Sequence, residues 1–209
     1  MNITVIGAGA FGTAFATAAT TAGHRVSITA RHQEHAEKAA AESGAAAVTG
    51  TDLAGADVIV LAVPAGSAAG WASEAGDRLD GAVIVDPTNP LTADFSDLYT
   101  SGTSAAESLQ AAAPRARVVK AFNTLFASRL TAADQDGAPL EAFLAGDDAA
   151  AKQTVAELAG SLGFTPRDAG RLRMARSLEE LAFLNISLNA ANGWAWQSAW
   201  RLAGPTDAA

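Results

Sequence analysis

The chain has no cysteine, which excludes disulfides, thiolate metal sites and a nucleophilic cysteine, and no metal centre is expected. Basic residues are scarce and scattered: 14 Lys and Arg against 22 Asp and Glu give a net charge of −8, a balance that disfavours nucleic acid and anionic membranes as partners. No apolar run is long enough to cross a bilayer, and Met1-Asn2 leads straight into a strand pattern without the basic region and apolar core of a signal peptide. The expectation is a cytoplasmic protein with a small-molecule partner. Disorder is not expected, since 49% of the 209 residues are hydrophobic, ample for one doubly wound domain with a modest appendage.

What is present starts with glycine. Gly7, Gly9 and Gly12 form G-x-G-x-x-G around Ala8, Ala10 and Phe11, between a short apolar run (Ile3, Val5, Ile6) and an alanine-rich helical stretch reaching about Ala22. In that context Gly7 permits the tight turn, Gly9 lets a pyrophosphate approach the backbone, Gly12 lets helix pack on strand, and the helix N-terminus offers N–H groups to phosphates. The bland alternative is a strand-to-helix turn without a ligand. The second strand, His24–Thr29, then lacks something telling: no Asp or Glu stands at its end, where an NAD enzyme holds the ribose 2′-hydroxyl. The chain reads Thr29-Ala30-Arg31-His32 there, with His35 on the same helical face as His32. A guanidinium can grip a 2′-phosphate bidentately, helped by the Thr29 hydroxyl and the two imidazoles, so NADP(H) is the expected coenzyme. A solvated surface Arg beside two surface His is the alternative.

Further on, helices and strands alternate: helix 33–42, strand 46–48, the turn Thr49-Gly50-Thr51-Asp52, the apolar strand 57–63, helix 67–79, strand 82–85, helix 103–112, strand 117–120, strand 141–145, helix 148–162 and strand 165–168. Continuous apolar runs mark strands buried on both faces. The fold class is therefore α/β, a Rossmann-type doubly wound parallel sheet over residues 1–170, with a small C-terminal helical part over 171–209 that serves the acceptor site, a dimer interface or both. Ligands in such sheets lie outside the carboxyl ends of the strands. The loops Val63-Pro64-Ala65-Gly66, Asn89-Pro90 and 120–124 are expected to converge there. Lys120 and Asn123 are candidates for charge stabilisation, Asn89 equally a turn cap. Asn185, Asn189, Asn192 and Trp196 share one helical stripe, which either faces the acceptor or, with Trp194 and Trp200, packs in a dimer.

The ordered set IGAGAFG, LAVP, VDPTNP, SAAE, RVVKAFNT, LAGDD, LGF…DAG and R-x-L-E, spread along essentially the whole chain, resembles the NADP-dependent oxidoreductases of the deazaflavin coenzyme F420. The resemblance implies a Rossmann domain with a small helical domain, usually dimeric, that passes hydride between NADPH and coenzyme F420. It places the pyrophosphate loop on Ala8, Gly9, Ala10 and Phe11, the 2′-phosphate contacts on Ala30, Arg31 and His35, the nicotinamide-side contacts on Ala65, Ala69 and Ala127, and a deazaflavin contact near Gln197. Two departures stand out: Ala65 occupies the place of a bulky Trp, and Asn123 that of a His in the best-known branch. The KAFNT form also resembles the NADPH-binding domain of ferric reductases that reduce a flavin, so a flavin or a small unsaturated or imine substrate stays open as acceptor. Hydride transfer between stacked rings needs mainly positioning and exclusion of water. Lys120 or Asn123 would steady the charge developing on the acceptor's pyrimidine side; alternatively Lys120 pairs with a carboxylate of the sheet rim and touches no ligand. The same fold also supports a non-catalytic NADP(H) sensor.

Overall fold

The computed structural model describes residues 1–50 and 53–204. In chain order the elements are β1 (Asn2–Ile6), α1 (Ala10–Thr21), β2 (Arg25–Thr29), α2 (Gln33–Ser43), β3 (Ala46–Ala47), β4 (Val58–Leu61), α3 (Ala65–Ala75), β5 (Val83–Asp86), α4 (Ala105–Ala112), β6 (Arg117–Ala121), α5 (Ala127–Leu130), β7 (Asp134–Gln135), β8 (Ala138–Pro139), β9 (Glu141–Gly146), α6 (Ala149–Ser161), β10 (Thr165–Asp168) and α7 (Ala175–Asn192), with single 3₁₀ turns at Gly76–Leu79 and Leu172–Met174. Of the expected turn at 49–52, Thr51 and Asp52 lie outside the described residues.

Eight strands form one sheet in the order β10-β9-β6-β5-β4-β1-β2-β3. β4 and β5 are buried at every residue, and alternate side chains feed two cores. Val58, Val60 and Val85 point to the face covered by α1, α2, α5 and α6; Ile59, Leu61 and Ile84 point to the face covered by α3, α4 and the start of α7. That alternation is why these strands read as unbroken apolar runs. Local signals end the helices as well. Ser104 accepts from the Glu107 N–H while its hydroxyl donates to the Glu107 carboxylate, a capping box starting α4, and Gly44 closes α2 in the left-handed conformation.

The expected α/β architecture, a mostly parallel Rossmann-like sheet followed by a helical C-terminal segment, is what the structure shows, with two differences in detail. The sheet is not wholly parallel: β6 pairs with β9 antiparallel, so β9 and β10 run against the other six strands. The connection between β6 and β9, residues 122–140, holds only the four-residue α5 and the short β7–β8 hairpin in place of a long crossover helix. The C-terminal part is helical only to Asn192. Gly193, left-handed at φ 63°, stops α7, and residues 194–204 continue without regular structure as a strap.

Candidate functional site

The three glycines of the first turn do three different things. A Cβ on Gly7, whose φ is +113°, would fall 2.1 Å from the Ala62 carbonyl oxygen, and one on Gly12 would fall 2.0 Å from the Gly7 oxygen. A Cβ on Gly9 would meet nothing within 4 Å. Gly7 and Gly12 are thus required by the fold, whereas Gly9 leaves open space above the start of α1, where no side chain caps the helix and no acidic residue occupies its first turn. Free N–H groups, the positive end of a helix dipole and an absent side chain together suit a pyrophosphate.

From this turn a cleft of about 980 Å³ extends over the ends of β1, β2 and β4. Gly7, Ala8 and Gly9 form its floor; Ala30, Arg31, His32 and His35 form one wall; Val63, Pro64 and residues of α3 form the other. Arg31 is exposed, and among the described residues no hydrogen bond or ion pair holds its guanidinium. The His32 and His35 rings stand edge to face at 5.5 Å. Thr29 is corrected: it is buried and its hydroxyl donates to the Gly50 carbonyl at 3.0 Å, so it fixes the loop after β3 rather than a phosphate. Ala65 is half-buried at the first turn of α3, with Ala69 one turn on, and Ala127, also half-buried, begins α5.

The carboxyl edge behaves differently from expectation. Lys120 is fully buried; its Nζ lies 3.0 Å from Asp86 Oδ2 and 2.7 Å from Glu179 Oε1 and also donates to the Thr88 carbonyl. Of its two alternatives the structure takes the ion pair, and the ammonium faces no cleft. The second carboxylate was missed because Glu179 sits on α7, where it also accepts from the Ala105 N–H. Burial, above all, with the Asp86 charge, raises the Glu179 pKa against the opposing pull of Lys120. Asn89 and Asn123 do come together. Asn89 Nδ2 donates to the Asn123 carbonyl at 2.8 Å and Asn123 Nδ2 to Asn89 Oδ1 at 2.9 Å, while Asn123 Oδ1 is buried without a partner among the described residues. Phe122, at φ +63°, makes this possible: its ring is locked edge-on against Phe15 and Phe164, and the left-handed backbone turns Asn123 toward Asn89.

The helical stripe is corrected too. Asn185 and Asn189 are buried, and their amides hold the strap: Asn189 Nδ2 donates to Ser198 Oγ at 2.6 Å, Asn189 Oδ1 accepts from the Trp196 N–H at 3.2 Å, and Ser198 Oγ donates to Asn185 Oδ1 at 2.7 Å. Asn189 has no polar atom left for an acceptor. Trp196 has left the helix and meets Phe126 edge to face at 5.5 Å, and Gln197 is exposed beside it. Asn192 is exposed at the helix end. Sequence reasoning also missed Trp71 and Ser67 of α3, which line the cleft; a helix-face pattern in an alanine-rich segment carried no sign of them.

Comparison with known proteins agrees with this geometry. Residues 2–90 match the family model described as NADP oxidoreductase, coenzyme F420-dependent. A protein of known structure from Arthrobacter sp. FB24, assigned as an F420-dependent NADP-reductase, is 32% identical, with 93% of this chain and 96% of that one covered at a TM-score of 0.83. The chain belongs to this family. A hypothetical protein from Sinorhizobium meliloti superposes at a TM-score of 0.76 with 34% identity, covering 84% of this chain and 88% of the other. The metalloreductase STEAP3 of Rattus norvegicus is 39% identical over 105 residues, 50% of this chain, and the chain spans only 21% of that curated relative's length. The family is one of NADP-dependent oxidoreductases with a Rossmann-like sheet, and no helix among the described residues is long and apolar enough to cross a membrane.

Proposed function

We propose that the protein transfers hydride between NADP(H) and the deazaflavin coenzyme F420. The observation that carries the coenzyme half is the pairing, across one cleft, of an open Gly9 with an exposed Arg31 that none of the described residues engages. NADP(H), when bound, supplies the hydride. The chain's part is to hold it: the N–H groups of Ala10, Phe11 and Gly12 receive the pyrophosphate, and Arg31, with His32 and His35 beside it, grips the 2′-phosphate. Val63, Pro64, Ala65 and Ala127 flank the nicotinamide end, and Asn123 Oδ1, the one unsatisfied acceptor at the Asn89–Asn123 clasp, is a group that a ligand N–H completes. Water exclusion and positioning carry the rate. The F420 half is supported by the family description and by the Arthrobacter relative.

A second reading, an ordinary flavin as acceptor, draws on the resemblance of the KAFNT segment to ferric reductases that reduce a flavin, beside the match to a metalloreductase over 105 residues. Anaerobic mixing of protein and NADPH with oxidised deazaflavin separates them. Bleaching of its visible band supports the first reading; bleaching only of FMN or FAD supports the second, and no change with either favours a non-catalytic NADP(H)-binding role. We also propose a cytoplasmic homodimer joined through α7 and the strap, where Leu184, Trp194, Trp196 and Leu202 are each about half exposed.

A further inference from the structure

We propose that the phenol of Tyr99 is a hydrogen-bond donor to the hydride acceptor, a planar heteroaromatic ring bearing carbonyl groups; the assignment rests on the oxidoreductase reading above. Tyr99 is the chain's single tyrosine and lies on the loop between β5 and α4, directly after the Asn89-Pro90 rim. That loop is stiff. Leu91 and Leu98 form an antiparallel bridge, the Thr92 N–H donates to the Asp97 carbonyl and the Tyr99 N–H to the Pro90 carbonyl, both at 2.8 Å. At the tip the Asp94 carboxylate accepts from the Thr92 hydroxyl at 2.7 Å, the Ser96 hydroxyl at 2.8 Å and the Ser96 N–H at 3.2 Å. Those bonds hold its pKa down to about 2, so the turn keeps its charged clasp at any ordinary pH.

On this support the Tyr99 side chain is 51% exposed, yet its hydroxyl turns toward the protein. The oxygen stands 3.7 Å from where a Cβ on Gly66 would be, at the first turn of α3, one residue from Ala65 and two from the cleft residue Pro64. No hydrogen bond satisfies it among the described residues. A tyrosine that packs for its own sake buries its ring and pairs its hydroxyl; Tyr99 does neither, and its hydroxyl stands against the start of α3, where Pro64 and Ser67 line the cleft. Partial burial, then the charges of Glu179 and Asp86, raise the phenol's pKa, which keeps it neutral and able to donate. The phenol gives up no proton. The hydride carries its electron pair from coenzyme to acceptor, any proton the reduced acceptor takes up comes from water, and the hydroxyl stabilises the acceptor's carbonyl oxygen by its hydrogen bond alone.

Tyr99→Phe removes only the hydroxyl. Binding of oxidised deazaflavin to the NADP⁺-saturated protein, read from deazaflavin fluorescence, is expected to weaken about three- to tenfold, the worth of one neutral hydrogen bond. The acceptor KM should rise in parallel while NADPH affinity and melting temperature stay as in the wild type. Unchanged acceptor affinity overturns the assignment, and so does an equal loss for NADPH, which would make Tyr99 part of the coenzyme site. The two levels of the reading fail differently: a wild type that binds and reduces neither deazaflavin nor FMN overturns the functional reading and Tyr99 with it, whereas a wild type that does so beside an indifferent Tyr99→Phe overturns Tyr99 alone.

Discussion

At the scale of single residues, the coenzyme turn separates what the fold needs from what a ligand needs. Gly12→Ala would place a Cβ 2.0 Å from a backbone oxygen, and such an overlap is relieved only by moving helix from strand, a cost of about 1–3 kcal/mol. Gly9→Ala meets no protein atom, and its φ of −79° suits any residue. Thermal melts with and without NADPH should therefore show Gly12→Ala destabilised even without coenzyme. Gly9→Ala should melt like the wild type alone and lose most of the shift NADPH gives. A Gly9→Ala protein with full NADPH affinity would remove the pyrophosphate from this turn. Arg31 answers the companion question of selectivity. Its guanidinium has no partner among the described residues, so Arg31→Ala should weaken NADPH by about 1–3 kcal/mol, the range of a charge-assisted hydrogen bond, and leave NADH nearly unchanged in the same titration. Equal losses would show that Arg31 shapes the cleft instead.

At the scale of elements, the buried cluster Asp86–Lys120–Glu179 joins β5, β6, α4 and α7. Removing one member leaves an uncompensated buried charge, at a cost of about 3–5 kcal/mol, so Lys120→Met should be far more damaging than its distance from the cleft suggests. Glu179 adds a pH signature. Its folded-state pKa is raised above the unfolded value, so the folded protein holds this proton more tightly; the resulting stability is fully present below the unfolded pKa and is lost as pH rises through the folded one. Denaturant midpoints should thus fall, as pH rises above the ordinary glutamate range, more steeply in the wild type than in Glu179→Gln, and parallel pH profiles would count against a raised Glu179 pKa. This cluster also marks where the sequence stopped being informative. The turn from β1 to α1 and the missing acid after β2 were legible because glycine spacing and strand ends are local. The fate of Lys120 was legible only as one of two alternatives, since its second partner, Glu179, arrives on the last helix, and the reversed direction of β9 is not written in any strand residue.

At the scale of the molecule, the strap shows how a sound local pattern yields a wrong global picture. The spacing of Asn185, Asn189 and Trp196 is helical, and the first two do share a helix face, but Gly193 ends the helix before the tryptophan and the amides turn to the returning chain. The strap is then fastened along its length: the Ser128 hydroxyl donates to the Trp196 carbonyl, Trp200 Nε1 to the Leu181 carbonyl, and the Leu202 N–H to the Glu141 carboxylate. Because Asn189 gives two of its bonds to the strap, Asn189→Ala should free residues 194–204 locally and cost about 1–3 kcal/mol through the groups left unpaired. The expected signs are a red-shifted tryptophan emission and new proteolytic cleavage just beyond Gly193, with NADPH affinity unchanged, since the coenzyme cleft draws on none of these residues. If the strap and the outer face of α7 form the proposed dimer, the variant should also dissociate at protein concentrations where the wild type scatters light as a dimer. A variant that loosens the strap yet keeps the mass of a dimer would move the interface off the strap and onto α7 alone, where Leu184→Glu is the substitution that should then break it.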